Sequence, residues 1–159
     1  MSVDVPAGVA LLSAMITPAV LVSAAGLLII STSARLARVM DRVRLLAAVL
    51  ESLAGSEDPA AARRRGEAER QIGLQAQRGR LIQQALTCLY LAVATFVATI
   101  LGIGLVAVAG RPVWLPGALG VAGTLFLFAG CVLLIRETRL ALRAVQWETS
   151  FVLSRPSPR

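Results

Sequence analysis

The residue types that most often carry out catalysis are scarce in this sequence of 159 residues. It contains no histidine and two cysteines, Cys88 and Cys131, each inside an apolar run. We interpret both as reduced, hydrophobic side chains, since two thiols are too few for a metal site. Among the acidic residues, Glu137 lies closest to an apolar run, and we expect Arg136, Arg139 or a neighbouring arginine to pair with it. The sequence therefore predicts no enzyme, no cofactor and no metal site.

Arginine is the abundant charged residue, and its distribution is uneven. The net charge is +7, and all but one of the arginines lie at residues 33–84 or from residue 136 onward. Because basic residues concentrate in the cytoplasmic loops of membrane proteins, we predict both segments inside and the N-terminus outside. The basic residues lie next to the apolar runs, and no aromatic residue is interleaved with those at residues 33–84, so we expect anionic lipid headgroups as partners and no nucleic acid. The candidate headgroup contacts are Arg35, Arg38, Arg42, Arg136 and Arg139.

Three apolar runs occupy residues 7–32, 85–109 and 116–135. A helix needs roughly 20 residues to cross a bilayer core of about 30 Å, and each run is long enough. The chain is 57% hydrophobic with a mean hydropathy of +0.75, whereas soluble domains are about 45–50% apolar. We therefore predict three transmembrane helices in one integral membrane domain over residues 1–159. Asp4 before the first run and arginines after it favour an uncleaved anchor over a signal peptide.

A helical hairpin is predicted at residues 34–84, continuous with the first two transmembrane helices. Gly55 is expected to end its first helix, and Asp58 to cap a second helix that begins at Pro59. A C-terminal amphipathic helix is expected at residues 136–153. The fold class is therefore an all-α membrane protein. The apolar stripe expected on the first helix of the hairpin consists of Leu36, Val39, Met40, Val43, Leu46, Leu50 and Leu53.

Small residues recur at helical spacing in the second and third apolar runs. Ala94, Ala98 and Gly102 follow one another at four-residue steps, and Gly123 and Gly130 are seven residues apart. Such faces let helix backbones approach closely in a membrane. We expect these faces either to join helices of one chain or to build a homo-oligomer.

The first apolar run contains Pro18, which should bend its helix, with the hydroxyl side chains of Ser13 and Thr17 nearby. Two functions fit these features. The first is a structural or interaction protein whose basic cytoplasmic bundle binds lipid headgroups or another protein. The second is a homo-oligomeric ion channel lined by the first helix, because hydroxyls can line a pore. The apolar runs contain no aspartate, glutamate, lysine, arginine or histidine, which argues against a proton-coupled transporter.

Short motifs are distributed over residues 10–145. They are Thr17-Pro18-Ala19-Val20-Leu21, Arg35, Arg42-Val43-Arg44, Gln71-Ile72, Arg80-Leu81-Ile82 and Arg136-Glu137. With these motifs the chain resembles a family of small bacterial membrane proteins, domain of unknown function 2721. The resemblance implies a multi-pass protein of a bacterial inner membrane and carries no assigned activity, so it supports topology rather than mechanism.

Overall fold

Three long α-helices form the computed structural model of this protein, which describes residues 5–55, 58–109 and 114–153. Helix α1 is Val5–Ser52, α2 is Pro59–Ala109 and α3 is Trp114–Leu153. Within those described ranges there are no strands. Each helix contains a stretch long and apolar enough to cross a membrane. The prediction of an all-helical protein with three such helices is therefore confirmed.

The connection between α1 and α2 follows the turn chemistry of its residues. Gly55 has a φ of +92°, a conformation that glycine adopts without the steric cost of a side chain. Asp58 caps α2, because its Oδ1 accepts a hydrogen bond of 2.9 Å from the backbone N–H of Ala60. The guanidinium of Arg65 donates to the carbonyl oxygen of Leu53, one of the carbonyls left without a helical partner where α1 ends.

The chain forms two compact units, and each of the three helices contributes to both. The first, which we call the apolar unit, combines Met1–Ser33 with Ala85–Cys131. The second, the arginine-rich unit, combines Ala34–Gln84 with Val132–Arg159. Charge separates along the same boundaries, because every charged residue except Asp4 and Arg111 belongs to the sequence of the arginine-rich unit.

In the apolar unit, large side chains of α2 lie against glycines of α3. A Cβ atom at Gly123 would lie 2.8 Å from the ring of Phe96, and one at Gly130 would lie 3.1 Å from Leu89. Phe96 and Leu89 are almost completely buried. Glycine at both positions therefore permits a helix–helix contact that alanine would obstruct. The buried face of α2 in this unit consists of Ala85, Leu86, Leu89, Ala92, Phe96 and Thr99.

The face of Ala94, Ala98 and Gly102 lies beside that buried face. Ala94 is exposed and Ala98 is half-buried, while a Cβ atom at Gly102 would make an ordinary 3.4 Å contact with Pro116. The glycines Gly123 and Gly130 of α3 thus lie against large residues of α2 rather than against this face of small ones. The reason is complementary shape, since the glycines of α3 provide the space and Leu89 and Phe96 fill it.

In the arginine-rich unit, the segments of α1 and α2 run antiparallel. Val39 lies 3.7 Å from the position that a Cβ atom at Gly79 would have. At the end of α1 the contact is with an earlier residue of α2, because Arg65 hydrogen-bonds to the carbonyl oxygen of Leu53 just after α1 ends. Of the predicted apolar stripe on α1, Val39 is buried and Met40 is exposed. The stripe is narrower than predicted, since 52% of Met40 is exposed. The half-buried members are Leu36, Val43, Leu46, Leu50 and Leu53.

Replacing Gly123 should test the close contact within the apolar unit. Gly123→Ala should lower the free energy of unfolding by about 1–3 kcal/mol, because the new methyl group must displace the buried Phe96 ring. Gly117→Ala is the matched control on the same helix, since a Cβ atom there meets nothing within 4 Å. Thermal unfolding in detergent would compare the two variants. Equal free energies of unfolding for the two variants would show that the helix contact at Gly123 leaves room for a methyl group.

Candidate functional site

Glu137 on α3 is a buried carboxylate, with 3% of its side chain exposed. Arg78 of α2 donates two hydrogen bonds to Glu137 Oε1, from Nε at 3.1 Å and from Nη2 at 2.8 Å. Nη1 of Arg35, on α1, lies 3.8 Å from Oε2 of the same carboxylate. One acidic side chain therefore links all three helices of the arginine-rich unit.

The geometry of this ion cluster explains how a charge is accommodated out of water. A carboxylate loses hydration when it is buried and needs charged hydrogen-bond donors in compensation. The planar guanidinium of Arg78 supplies two donors, and its Nη1 also donates to Gln75 Oε1 at 3.4 Å. Arg35 has 46% of its side chain exposed and contributes mainly at longer range. The Arg78–Glu137 pair is therefore the structural part of the cluster, and Arg35 is its exposed edge.

A cavity of about 610 Å³ lies beside this cluster, entirely within the arginine-rich unit. Four guanidinium groups and one carboxylate lie at its wall, which leaves an excess of three positive charges. Such a site can bind and orient an anion by electrostatic attraction and hydrogen bonding. The residues that line the cavity are Arg35, Arg38, Val39, Arg42, Gln75, Arg78, Glu137, Thr138 and Ala141.

The cavity brings together three of the five arginines predicted as headgroup contacts. Arg35, Arg38 and Arg42 lie three and four residues apart on α1 and all line it. Arg136 and Arg139 are exposed and do not line the cavity. The predicted set is thus divided between a concave site and the outer surface of α3.

The partners of Glu137 are not the two arginines that the sequence analysis named. Glu137 pairs with Arg78 and Arg35 rather than with Arg136 or Arg139. On a helix, side chains one or two residues apart point in different directions, so Arg136 and Arg139 diverge from Glu137. Arg78 lies 59 residues away in the sequence, and no local spacing identifies it as the partner of Glu137.

The residues proposed for a pore or a kink lie in the apolar unit. Pro18 is buried within an uninterrupted α1, whereas Ser13 and Thr17 are exposed. Thr17 and Pro18 contribute to a cavity of about 400 Å³ that is also lined by Thr99 and Thr124. The hydroxyls of Thr99 and Thr124 donate to backbone carbonyls of their own helices, at 2.8 and 2.9 Å. They are thereby less available to a permeating ion.

Comparison with known proteins gives one match. A family model described as a protein of unknown function, DUF2721, matches residues 15–147. No curated protein and no solved structure matches the chain. The match confirms the resemblance found in the sequence motifs, and it covers the cavity-lining arginines together with Glu137.

Removing the buried carboxylate should destabilise the arginine-rich unit. Glu137→Ala leaves Arg78 partly buried without its anion, so we expect a loss of about 3 kcal/mol in the free energy of unfolding. Asp41→Ala is the matched control, because Asp41 pairs with Arg44 at the exposed surface and should cost less than about 1 kcal/mol. Chemical unfolding in detergent would measure both. Similar losses in the two variants would contradict a structural role for Glu137.

Proposed function

Since the chain belongs to the DUF2721 family, whose function is unknown, we propose from its own residues that it is a non-enzymatic structural or interaction protein of a bacterial inner membrane. Its arginine-rich unit lies in the cytoplasm and binds anionic lipid headgroups. The observation that carries this proposal is the clustering of Arg35, Arg38 and Arg42 on one face of α1, directly after the apolar stretch.

The position of these arginines along the chain supports headgroup binding. The apolar sequence of α1 ends near Thr32, and the basic face begins at Arg35 within the same helix. A helix that leaves the hydrocarbon core at this point carries its first guanidinium groups at headgroup level. Each arginine near an anionic surface contributes about 1 kcal/mol of attraction. The acidic Asp41 lies in the same segment, but it pairs with Arg44 and does not line the cavity.

The charge distribution also supports an orientation with the N-terminus outside and the C-terminus in the cytoplasm. Fifteen of the sixteen basic residues belong to the residue ranges of the arginine-rich unit. The exception is Arg111, between α2 and α3. An inverted arrangement would require translocation of this basic segment, which the positive-inside rule disfavours.

Self-association is part of the proposal, and an ion channel is its alternative. The exposed Ala94, beside Ala98 and Gly102, offers a small-residue face suited to a second copy of the chain. The exposure of Ser13 and Thr17 favours the alternative, because a ring of copies could turn these hydroxyls toward a common pore. Unitary currents across a planar bilayer that change with Thr17→Val would favour the channel, whereas we expect an oligomer that conducts no current.

Neutralising the basic face should weaken lipid binding. We expect the triple variant Arg35→Gln, Arg38→Gln and Arg42→Gln to lose up to about 3 kcal/mol of affinity for phosphatidylglycerol. A matched control removes the same charge at Arg63, Arg64 and Arg80, none of which lines the cavity. Native mass spectrometry of lipid adducts on the full chain would measure this loss. Unchanged phosphatidylglycerol binding in the triple variant would contradict the proposal.

The orientation can be tested by cysteine labelling in spheroplasts. A membrane-impermeant maleimide should reach Ser52→Cys only after permeabilisation, and Trp114→Cys without it, because both positions are exposed but belong to opposite sides in our proposal. The unsubstituted chain, with its half-buried Cys88 and Cys131, provides the background. The opposite labelling pattern would invert the proposed topology.

A further inference from the structure

The cavity of the arginine-rich unit has features that a flat basic surface lacks. Its volume of about 610 Å³ lies within the range of small-molecule sites, which is roughly 300–1,000 Å³. It is lined by residues from all three helices, so its arginines approach from more than one direction. This arrangement suits a discrete ligand with a defined orientation better than a diffuse layer of counter-ions.

The charges of the cavity are compensated only in part. Glu137 forms an ion pair with Arg78, which donates two hydrogen bonds of 2.8 and 3.1 Å to Oε1. Arg38 and Arg42 have no ion-pair partner within the described part of the chain. Like charges three to four residues apart on one helix face destabilise each other in the absence of a counter-ion. The side of the cavity formed by α1 therefore favours an anion, and no acidic side chain among the described residues pairs with Arg38 or Arg42 there.

The chemistry of the wall indicates which anion fits. Guanidinium groups bind phosphate through parallel N–H···O hydrogen bonds, and a phosphomonoester carries up to two negative charges against the excess of three. The side-chain amide of Gln75 offers a hydrogen-bonding group to a polar remainder, and Val39 and Ala141 add small apolar surface. The Thr138 hydroxyl already donates to the carbonyl oxygen of Leu134 at 3.0 Å and can offer only its oxygen as an acceptor. A bare phosphate ion would fill only a small part of the volume. A phosphate ester with a short polar substituent matches both the charge and the size of the cavity.

We propose that this cavity is a saturable binding site for a phosphomonoester, whose oxygens contact Arg35, Arg38 and Arg42 while the Arg78–Glu137 pair joins α2 to α3 beside them. This site rests on the proposed function, because the same three arginines are proposed to bind lipid headgroups. It goes further in that these arginines form a defined binding site rather than a general basic surface. The phosphomonoester comes either from a lipid headgroup such as phosphatidate or from a soluble ester. Both share the chemistry that the cavity recognises.

The test uses the full chain in phosphatidylcholine nanodiscs. One arm adds soluble glycerol 3-phosphate, and the other places phosphatidic acid in the disc, with glycerol and phosphatidylglycerol as the respective references. The thermal midpoint of unfolding should rise and saturate with the phosphomonoester in at least one arm, since a ligand of the folded state stabilises it. The cavity variant is Arg38→Gln with Arg42→Gln, which leaves the contacts of Glu137 intact.

The matched control is Arg44→Gln with Arg80→Gln, which removes the same charge from exposed positions outside the cavity. We expect the cavity variant to weaken phosphomonoester binding by at least about tenfold and the control by far less. Without ligand, the cavity variant should unfold at the same or a higher temperature than the wild type, because a like-charge repulsion is removed. Arg42→Lys, which keeps the charge but loses the planar fork, should bind with intermediate affinity.

The outcomes separate this site from the broader proposal. Saturation that is lost in the cavity variant supports the site, and the responding arm identifies a lipid or a soluble ester as its source. Binding of anionic lipid that both variants weaken equally would overturn the site and leave the proposed headgroup binding standing. A response to glycerol 3-phosphate alone would support the site and contradict headgroup binding. No response in either arm would overturn the site, and unchanged phosphatidylglycerol binding by the triple variant independently overturns headgroup binding.

Discussion

A single buried carboxylate determines how the arginine-rich unit is organised. Glu137 is almost completely removed from solvent, and the cost of that burial requires guanidinium donors from other helices. Arg78 meets this requirement with two hydrogen bonds of 2.8 and 3.1 Å, and Arg35 approaches from α1. Because Glu137 pairs with Arg78 and Arg35, it does not neutralise the two other cavity arginines, Arg38 and Arg42. The contact that joins the helices is therefore also the reason why the cavity favours an anion.

The apolar unit depends on a different constraint, which is shape. No charged side chain lies within its described residues, and its helices meet where Phe96 and Leu89 fit over Gly123 and Gly130. In a membrane, association between helices depends on such close contact because lipid is as apolar as the side chains. The two units thus use the two means available to a small helical protein, ion pairing where the sequence is charged and complementary volume where it is not.

Much of the fold could be predicted from local sequence, because its signals are local. The length of the apolar runs, the φ of Gly55 and the cap of Asp58 each depend on a few neighbouring residues. The pairing of Glu137 could not be predicted in this way, since Arg78 lies 59 residues away and no periodicity relates them. For the same reason the sequence indicated a basic face at Arg35, Arg38 and Arg42 but not the cavity that they line.

The central claim is that Arg78 and Glu137 stabilise the arginine-rich unit as a pair. A double-mutant cycle with Arg78→Ala, Glu137→Ala and the combined variant would measure the coupling in the free energy of unfolding directly. We predict that the combined variant is more stable than the sum of the single losses implies, with a coupling of about 2 kcal/mol. Losses that add to within about 0.5 kcal/mol would show that the two side chains act independently and would contradict this account.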